Sequence, residues 1–207
     1  MTKLIVLHGY SMNAAVMRER LGELGPLLER EVELVFVDAP HTCSDAAVES
    51  LYSVWKAPRL APPHLAWWEA TDDGREYRGW EETRDRIREA MGGGDVGFLG
   101  FSQGAILSCA IAALAEHGEM PSVRFAIPIA GRTRRADVFQ PALAKRLRTP
   151  SLHVWGRADT LVGTSSEELS ERFDGTTREI VVWDGDHRIP TSGEGAEAIL
   201  RFVRKHR

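Results

Sequence analysis

Residues 96–115 read Val96-Gly97-Phe98-Leu99-Gly100-Phe101-Ser102-Gln103-Gly104-Ala105-Ile106-Leu107-Ser108-Cys109-Ala110-Ile111-Ala112-Ala113-Leu114-Ala115. Val96 to Leu99 is a short apolar run of the kind that forms a buried strand. Ala105 to Ala115 is small and apolar throughout, which fits a helix pressed against a sheet. Between them lies Gly100-Phe101-Ser102-Gln103-Gly104, a G-x-S-x-G pentapeptide. Alone this motif also fits an ordinary turn with a capping serine. Between a strand and a helix it has the context of a nucleophile elbow, where a sharp turn presents the serine hydroxyl and small residues let strand and helix approach. The helix start beyond it leaves backbone N–H groups unpaired.

Similar apolar runs recur on both sides. Leu4–Leu7, Val32–Val37, Val123–Ile129, Ser151–Trp155 and Glu179–Trp183 predict five further strands. Helical spacing predicts helices over 14–28, 80–91, 165–172 and 194–205, with Gly92-Gly93-Gly94 ending the second. Strands and helices alternate, so the expected architecture is α/β: a compact three-layer αβα sandwich on a largely parallel six-stranded sheet. The chemistry of such a sheet lies in the loops after its strands. Residues 41–79 interrupt the rhythm. Pro58, Pro62 and Pro63 exclude a long helix there, and Trp55, Trp67 and Trp68 are concentrated in it. The expectation is a lid or pocket segment, or an insertion packing its tryptophans on the core.

The 207 residues, 43% of them hydrophobic, suffice for one sizeable core, so 1–207 is read as a single domain. The formal net charge of −4 is dispersed and gives no reason to expect nucleic acid or an anionic membrane as a partner. The densest basic group is Arg132, Arg134 and Arg135, read as a solvated loop. Cys43 and Cys109 are the two cysteines, and no disulfide between them is expected. The N-terminal apolar run is too short for a signal peptide, and no stretch approaches the ~20 apolar residues needed to span a bilayer. A cytoplasmic location is the expectation.

A serine hydroxyl needs a base to become a nucleophile. Of seven histidines, His187 directly follows the last predicted strand, in Asp184-Gly185-Asp186-His187-Arg188-Ile189-Pro190. His8 belongs to the turn after the first strand, His153 lies within a strand, and His41 and His64 lie in the irregular segment. The acid that orients the base is read as Asp159, just after the fifth strand. Asp184 and Asp186 are nearer in sequence, but a neighbour in a tight loop rarely points at the ring. The order Ser102, Asp159, His187 is that of α/β-hydrolases. An acyl-transfer intermediate carries an oxyanion that backbone N–H groups stabilise. The residue after the serine, Gln103, offers one such group. The first-strand loop His8-Gly9-Tyr10 offers the other at Tyr10, unless it is only a tight turn.

These blocks, together with Asp38-Ala39-Pro40-His41, Trp67-Trp68 and Gly156-Arg157-Ala158-Asp159-Thr160-Leu161-Val162, resemble the FSH family of serine hydrolases in the α/β-hydrolase superfamily. The resemblance runs from residue 4 to residue 190. It implies ester or thioester hydrolysis without a cofactor, catalytic roles for Ser102, Asp159 and His187, and a sheet lacking the first two strands of larger relatives. It implies a small-molecule acyl ester or thioester as substrate; some members release acyl chains from carrier proteins, so an acyl carrier protein is a candidate partner. His41, Trp67, Trp68, Leu161 and Ile189 are the candidate pocket residues. One departure is that charged Asp186 and Arg188 flank the histidine, where relatives carry uncharged residues.

Rival readings are acyl transfer or cyclisation, with a bound alcohol or amine in place of water, and a non-catalytic binding protein on the same fold. A cysteine or metal enzyme is disfavoured, because neither cysteine sits in an elbow and no histidine pair has metal-ligand spacing.

Overall fold

The computed structural model of the protein describes residues 1–207 except 54–58, 71–76, 133–144 and 163. Trp55, Pro58, Arg134 and Arg135 lie outside the described residues. The chain begins with β1 (Lys3–Leu7), α1 (Ala14–Arg20), α2 (Leu24–Glu29) and β2 (Glu33–Val37). The insertion holds β3 (His41–Thr42), α3 (Asp45–Ser53), β4 (Leu65–Ala66), β5 (Glu69–Ala70) and β6 (Tyr77–Arg78). Then follow α4 (Trp80–Met91), β7 (Val96–Phe101), α5 (Gln103–Glu116), β8 (Val123–Ile129), β9 (Ser151–Gly156), α6 (Ser165–Ser170), β10 (Arg178–Trp183) and α7 (Gly193–His206).

Six strands form one sheet in the order β10-β9-β8-β7-β1-β2, and every neighbouring pair is parallel. The six expected strands are therefore all present. The alternation of side chains along a strand assigns its two faces. Ile5 and Leu7 pack with Phe98 against α5 and α4, whereas Leu4 and Val6 pack with Leu99 and Phe125 against α1, α2 and α7. A sheet covered on both faces explains why its strands read as continuous apolar runs. It also explains α5, whose residues from Gly104 to Leu114 are all buried.

After β2 the chain returns past β1 and enters the sheet on its other side as β7. The reversal leaves a crevice at the carboxyl ends of β1 and β7, the usual ligand position in such sheets. The His8-Gly9-Tyr10 loop and Ser102 both emerge there.

Two expectations are corrected. The helix expected over 14–28 is broken in two, because Gly22 takes a left-handed conformation (φ 47°) that stops α1 after its Leu21 cap. The segment 41–79 is less irregular than its prolines imply. It carries the nine-residue α3 and two small antiparallel ribbons, β3 with β4 and β5 with β6. Backbone bonds tie it to the first-strand loop: Ser11 N donates to Leu65 O (2.8 Å) and Leu65 N donates to Met12 O (3.1 Å). Asn13 caps α1 by accepting from Val16 N (2.9 Å) and holds the proline turn by donating to Ala61 O and Pro63 O. Among the described residues no helix is long and apolar enough to cross a membrane. Cys43 and Cys109 are free and buried.

Candidate active site

The turn from β7 into α5 is tight enough that two glycines are required. A Cβ on Gly100 would lie 2.1 Å from Gly104 O, and one on Gly104 would lie 2.4 Å from Leu7 O. Ser102 between them has φ 53° and ψ −111°, a sparsely populated conformation for a residue with a side chain. It is held there by its N–H, which donates to Ile129 O (2.9 Å), and by its carbonyl, which accepts from Ala105 N (3.0 Å). Among the described residues, the non-glycine residues with positive φ are Ser11, Ser102 and Ala130. They follow β1, β7 and β8 respectively, so the strain gathers at one end of the sheet.

His187 reaches the serine from the loop after β10. Its Nε2 lies 3.2 Å from Ser102 Oγ, and its Nδ1 lies 2.8 Å from Asp159 Oδ2. An ionised carboxylate only accepts, so the Nδ1 proton faces Asp159 and Nε2 presents a lone pair to the hydroxyl. Asp159 is deeply buried, with 1% of its side chain exposed. Its other oxygen accepts from Leu161 N (3.0 Å) and Val162 N (3.2 Å). The carboxylate is thus fixed from both ends. The two loops that carry acid and histidine follow adjacent strands and are stitched together: Arg157 N donates to Trp183 O and Ala158 N to Gly185 O, both at 2.8 Å. A Cβ on Gly156 would meet Gly185 O at 2.2 Å, so this approach too requires glycine. Phe101 packs against the His187 ring at 5.0 Å between centroids.

The carboxylate hydrogen-bonded to the ring is that of Asp159, not of Asp184 or Asp186. Both are exposed, and Asp186 pairs with Arg188 at the surface. The two charges that depart from the family pattern therefore neutralise each other outside the site.

The first-strand loop lies against the serine, since a Cβ on Gly9 would sit 3.3 Å from Ser102 Cβ. The loop thus meets the serine at Gly9, the residue before Tyr10, and Gln103 opens α5, where the N–H groups lack helical acceptors. His8 is fully buried. Its Nε2 accepts from Ala39 N (3.0 Å), which obliges Nδ1 to carry the proton and donate to Gly9 O (2.8 Å). Burial holds its pKa below the usual imidazole value, against the opposing effects of the Gly9 carbonyl and Asp38.

With this geometry in place, the comparison with known proteins is specific. Residues 1–199 match the family described as serine hydrolase (FSH1). The chain belongs to the FSH1 family. Esterase OVCA2 of Bos taurus is 30% identical over 97% of this chain and 95% of its own length, and Esterase CG5412 of Drosophila melanogaster is 29% identical over 97% and 72%. Among solved structures, the fold resembles esterase PE8 (TM-score 0.70, 18% identity, 100% of this chain and 93% of that one) and Zea mays acyl-protein thioesterase 2 (TM-score 0.62, 15% identity, 99% and 93%). The chain is thus a member of a serine hydrolase family, with relatives named esterase and the fold of these solved structures.

The residues expected to line a pocket are not gathered in one place. Trp67 is fully buried and Trp68 is 3% exposed; both belong to the core between the sheet, α4 and α5. They pack the insertion onto the core, the second of the two expectations for this segment. Ile189 is buried on the opposite face of the sheet with α7. His41 Nε2 is hydrogen-bonded to Gly79 O (2.9 Å) at the far end of the insertion. Leu161 is exposed beside the Asp159 loop. Among the described residues no group of three or more His, Cys, Asp or Glu side chains is arranged to hold a metal.

Sequence reasoning missed the side chain of Gln103. Its Oε1 accepts from Trp67 N and its Nε2 donates to Trp68 O, both at 2.9 Å. It also missed Thr83, whose hydroxyl donates to Trp67 O. The Trp-Trp block marked the place, but nothing in residue spacing says which distant side chain secures it.

Proposed function

We propose that the protein cleaves carboxylic esters or thioesters through an acyl-enzyme on Ser102. The observation that carries this reading is the hydrogen-bonded chain from Ser102 Oγ through both ring nitrogens of His187 to buried Asp159. His187 Nε2 takes the hydroxyl proton as Ser102 Oγ attacks the acyl carbonyl carbon. The imidazolium so formed is stabilised by Asp159, which keeps the ring in the required tautomer. The N–H groups of Tyr10 and Gln103 hold the developing oxyanion. His187 then protonates the leaving alcohol or thiol as its bond to the acyl carbon breaks. Water, deprotonated by His187, attacks the acyl carbon, the same N–H groups hold the second oxyanion, and His187 returns the proton to Ser102 Oγ as the acyl–Oγ bond breaks and the free acid departs.

The esterase relatives support the reaction class, and the fold likeness to an acyl-protein thioesterase leaves thioesters open. The test is a panel of p-nitrophenyl esters and acyl-pantetheine thioesters of increasing acyl length, with fluorophosphonate labelling of the active serine. Ser102→Ala is expected to lose labelling and to lower turnover at least ~10,000-fold. Near-full turnover by the Ala variant would overturn the assignment. Adding acceptor alcohols or amines, and comparing acyl products with free acid, separates transfer from hydrolysis.

A further inference from the structure

We propose that Trp67 is a positioning residue that locks the two oxyanion N–H donors to each other through His8 and the side chain of Gln103; the proposal rests on the serine-hydrolase reading above.

The contacts form a closed path. Gln103, whose backbone N–H is one donor, grips the Trp67–Trp68 backbone with both ends of its side-chain amide. The Trp67 indole Nε1 donates to His8 O at 2.8 Å, and its ring stacks on the His8 imidazole at 4.9 Å with an interplanar angle of 30°. The imidazole Nδ1–H donates to Gly9 O. Gly9 O and Tyr10 N–H belong to one planar peptide unit, and in a trans peptide they point in opposite directions. Holding the carbonyl therefore fixes the direction of the Tyr10 N–H, the other donor.

Each joint is made rigid from outside the path. Ala39 N, at the exit of β2, fixes the tautomer of His8. Thr83, on α4, holds the Trp67 carbonyl. The His8 carbonyl is pressed against the elbow, as a Cβ on Gly104 would lie 2.7 Å from it. The path is buried at His8 and Trp67 and part-buried at Gln103, so a gap at the Trp67–His8 joint shifts a donor instead of being filled by solvent. An oxyanion donor acts only at hydrogen-bond distance from where the charge develops, and a displacement of ~1 Å costs on the order of 100-fold in rate. On this view Trp67 acts on the reaction without touching substrate.

The test uses Trp67→Phe, which keeps a ring against His8 but removes the indole N–H, and Thr83→Val, which removes the hydroxyl on the Trp67 carbonyl. Active sites are titrated with a fluorophosphonate so that turnover is counted per reactive serine. The expected result for Trp67→Phe is a fall in kcat of ~10- to 100-fold with KM within about twofold. Binding of a trifluoromethyl ketone, whose serine adduct carries an oxyanion, weakens in proportion to kcat/KM across the parent and both variants.

Either of two results overturns the proposal. One is an unchanged kcat per titrated site in both variants. The other is a loss confined to KM or to the fraction of reactive serines, with the ketone bound as in the parent. If Trp67→Phe fails to fold, Thr83→Val decides alone on the same readouts. Failure of the parent itself to label at Ser102 overturns the functional reading instead, so the two failures are distinguishable.

Discussion

Asp159 is the group on which the site's order depends most directly. Its two oxygens do different work: one accepts two backbone N–H groups of its own loop, and the other faces His187. Asp159→Asn keeps the shape and loses the charge. The amide then presents either an acceptor without charge or an N–H that forces the proton onto Nε2, the nitrogen that receives the serine proton in the proposed mechanism. Turnover per titrated site is expected to fall ~1,000- to 10,000-fold. Asp186→Ala is the matched control. It breaks only an exposed pair with Arg188, worth at most ~1 kcal/mol, and is expected to leave kcat within about twofold. The reverse ranking in steady-state kinetics would reassign the acid. Sequence distance alone favours Asp186. What separates the two residues is the strand each follows, which the order of apolar runs already indicated.

Elements bring these side chains together by approaching more closely than ordinary residues allow. The β7–α5 elbow lies against the end of β1, and Gly104 is the point of contact. Gly104→Ala sets a methyl group against the Leu7 and His8 carbonyls, which are backbone and cannot rotate aside. The expected cost is ~1–3 kcal/mol in stability, read as a lower urea midpoint, together with slower fluorophosphonate labelling because the elbow must shift. Gly94→Ala, with open space around the site of its Cβ, is the control and is expected to leave both within error. Equal effects of the two substitutions would contradict the close approach. The glycines of this motif were legible as a requirement for contact, and the helix after it as buried. The broken helix over 14–28 was not, because helical periodicity continues through Gly22 whether or not the backbone turns there. The short helix and ribbons of the insertion were not legible either. Prolines forbid helix only locally, and α3 is complete before them.

At the scale of the whole molecule, two buried histidines link folding to pH. His153 lies in β9 against Phe173, and burial, with the nearby Arg178 charge adding to it, pushes its pKa down to about 3. His8 is displaced in the same direction by burial. The ordinary value for both is 6.5. Below that pH the unfolded chain binds protons that the folded chain refuses. The stability held at neutral pH is therefore lost as the pH falls from about 6.5 toward 3, by up to ~1.4 kcal/mol per pH unit for His153. Urea midpoints measured by tryptophan fluorescence at pH 7, 5.5 and 4.5 are expected to fall in that order. His153→Gln is expected to show a shallower slope than the parent. Parallel slopes would mean that the buried ring does not carry the effect.

The local chemistry of the chain determined the alternation of strand and helix, the elbow at Ser102 and the loops that hold Asp159 and His187. These depend on apolar runs, on small residues between them and on position relative to strand ends, all of which are contiguous in sequence. Only the tertiary structure decided that Trp67 and Trp68 are buried, that the amide of Gln103 grips them, and that His8 is a neutral donor to Gly9. Those facts depend on β2, the insertion and α4 meeting at one end of the sheet. Contacts between residues 31 to 59 positions apart leave no periodic trace in the chain, because hydrogen-bond partners across a fold are chosen by geometry.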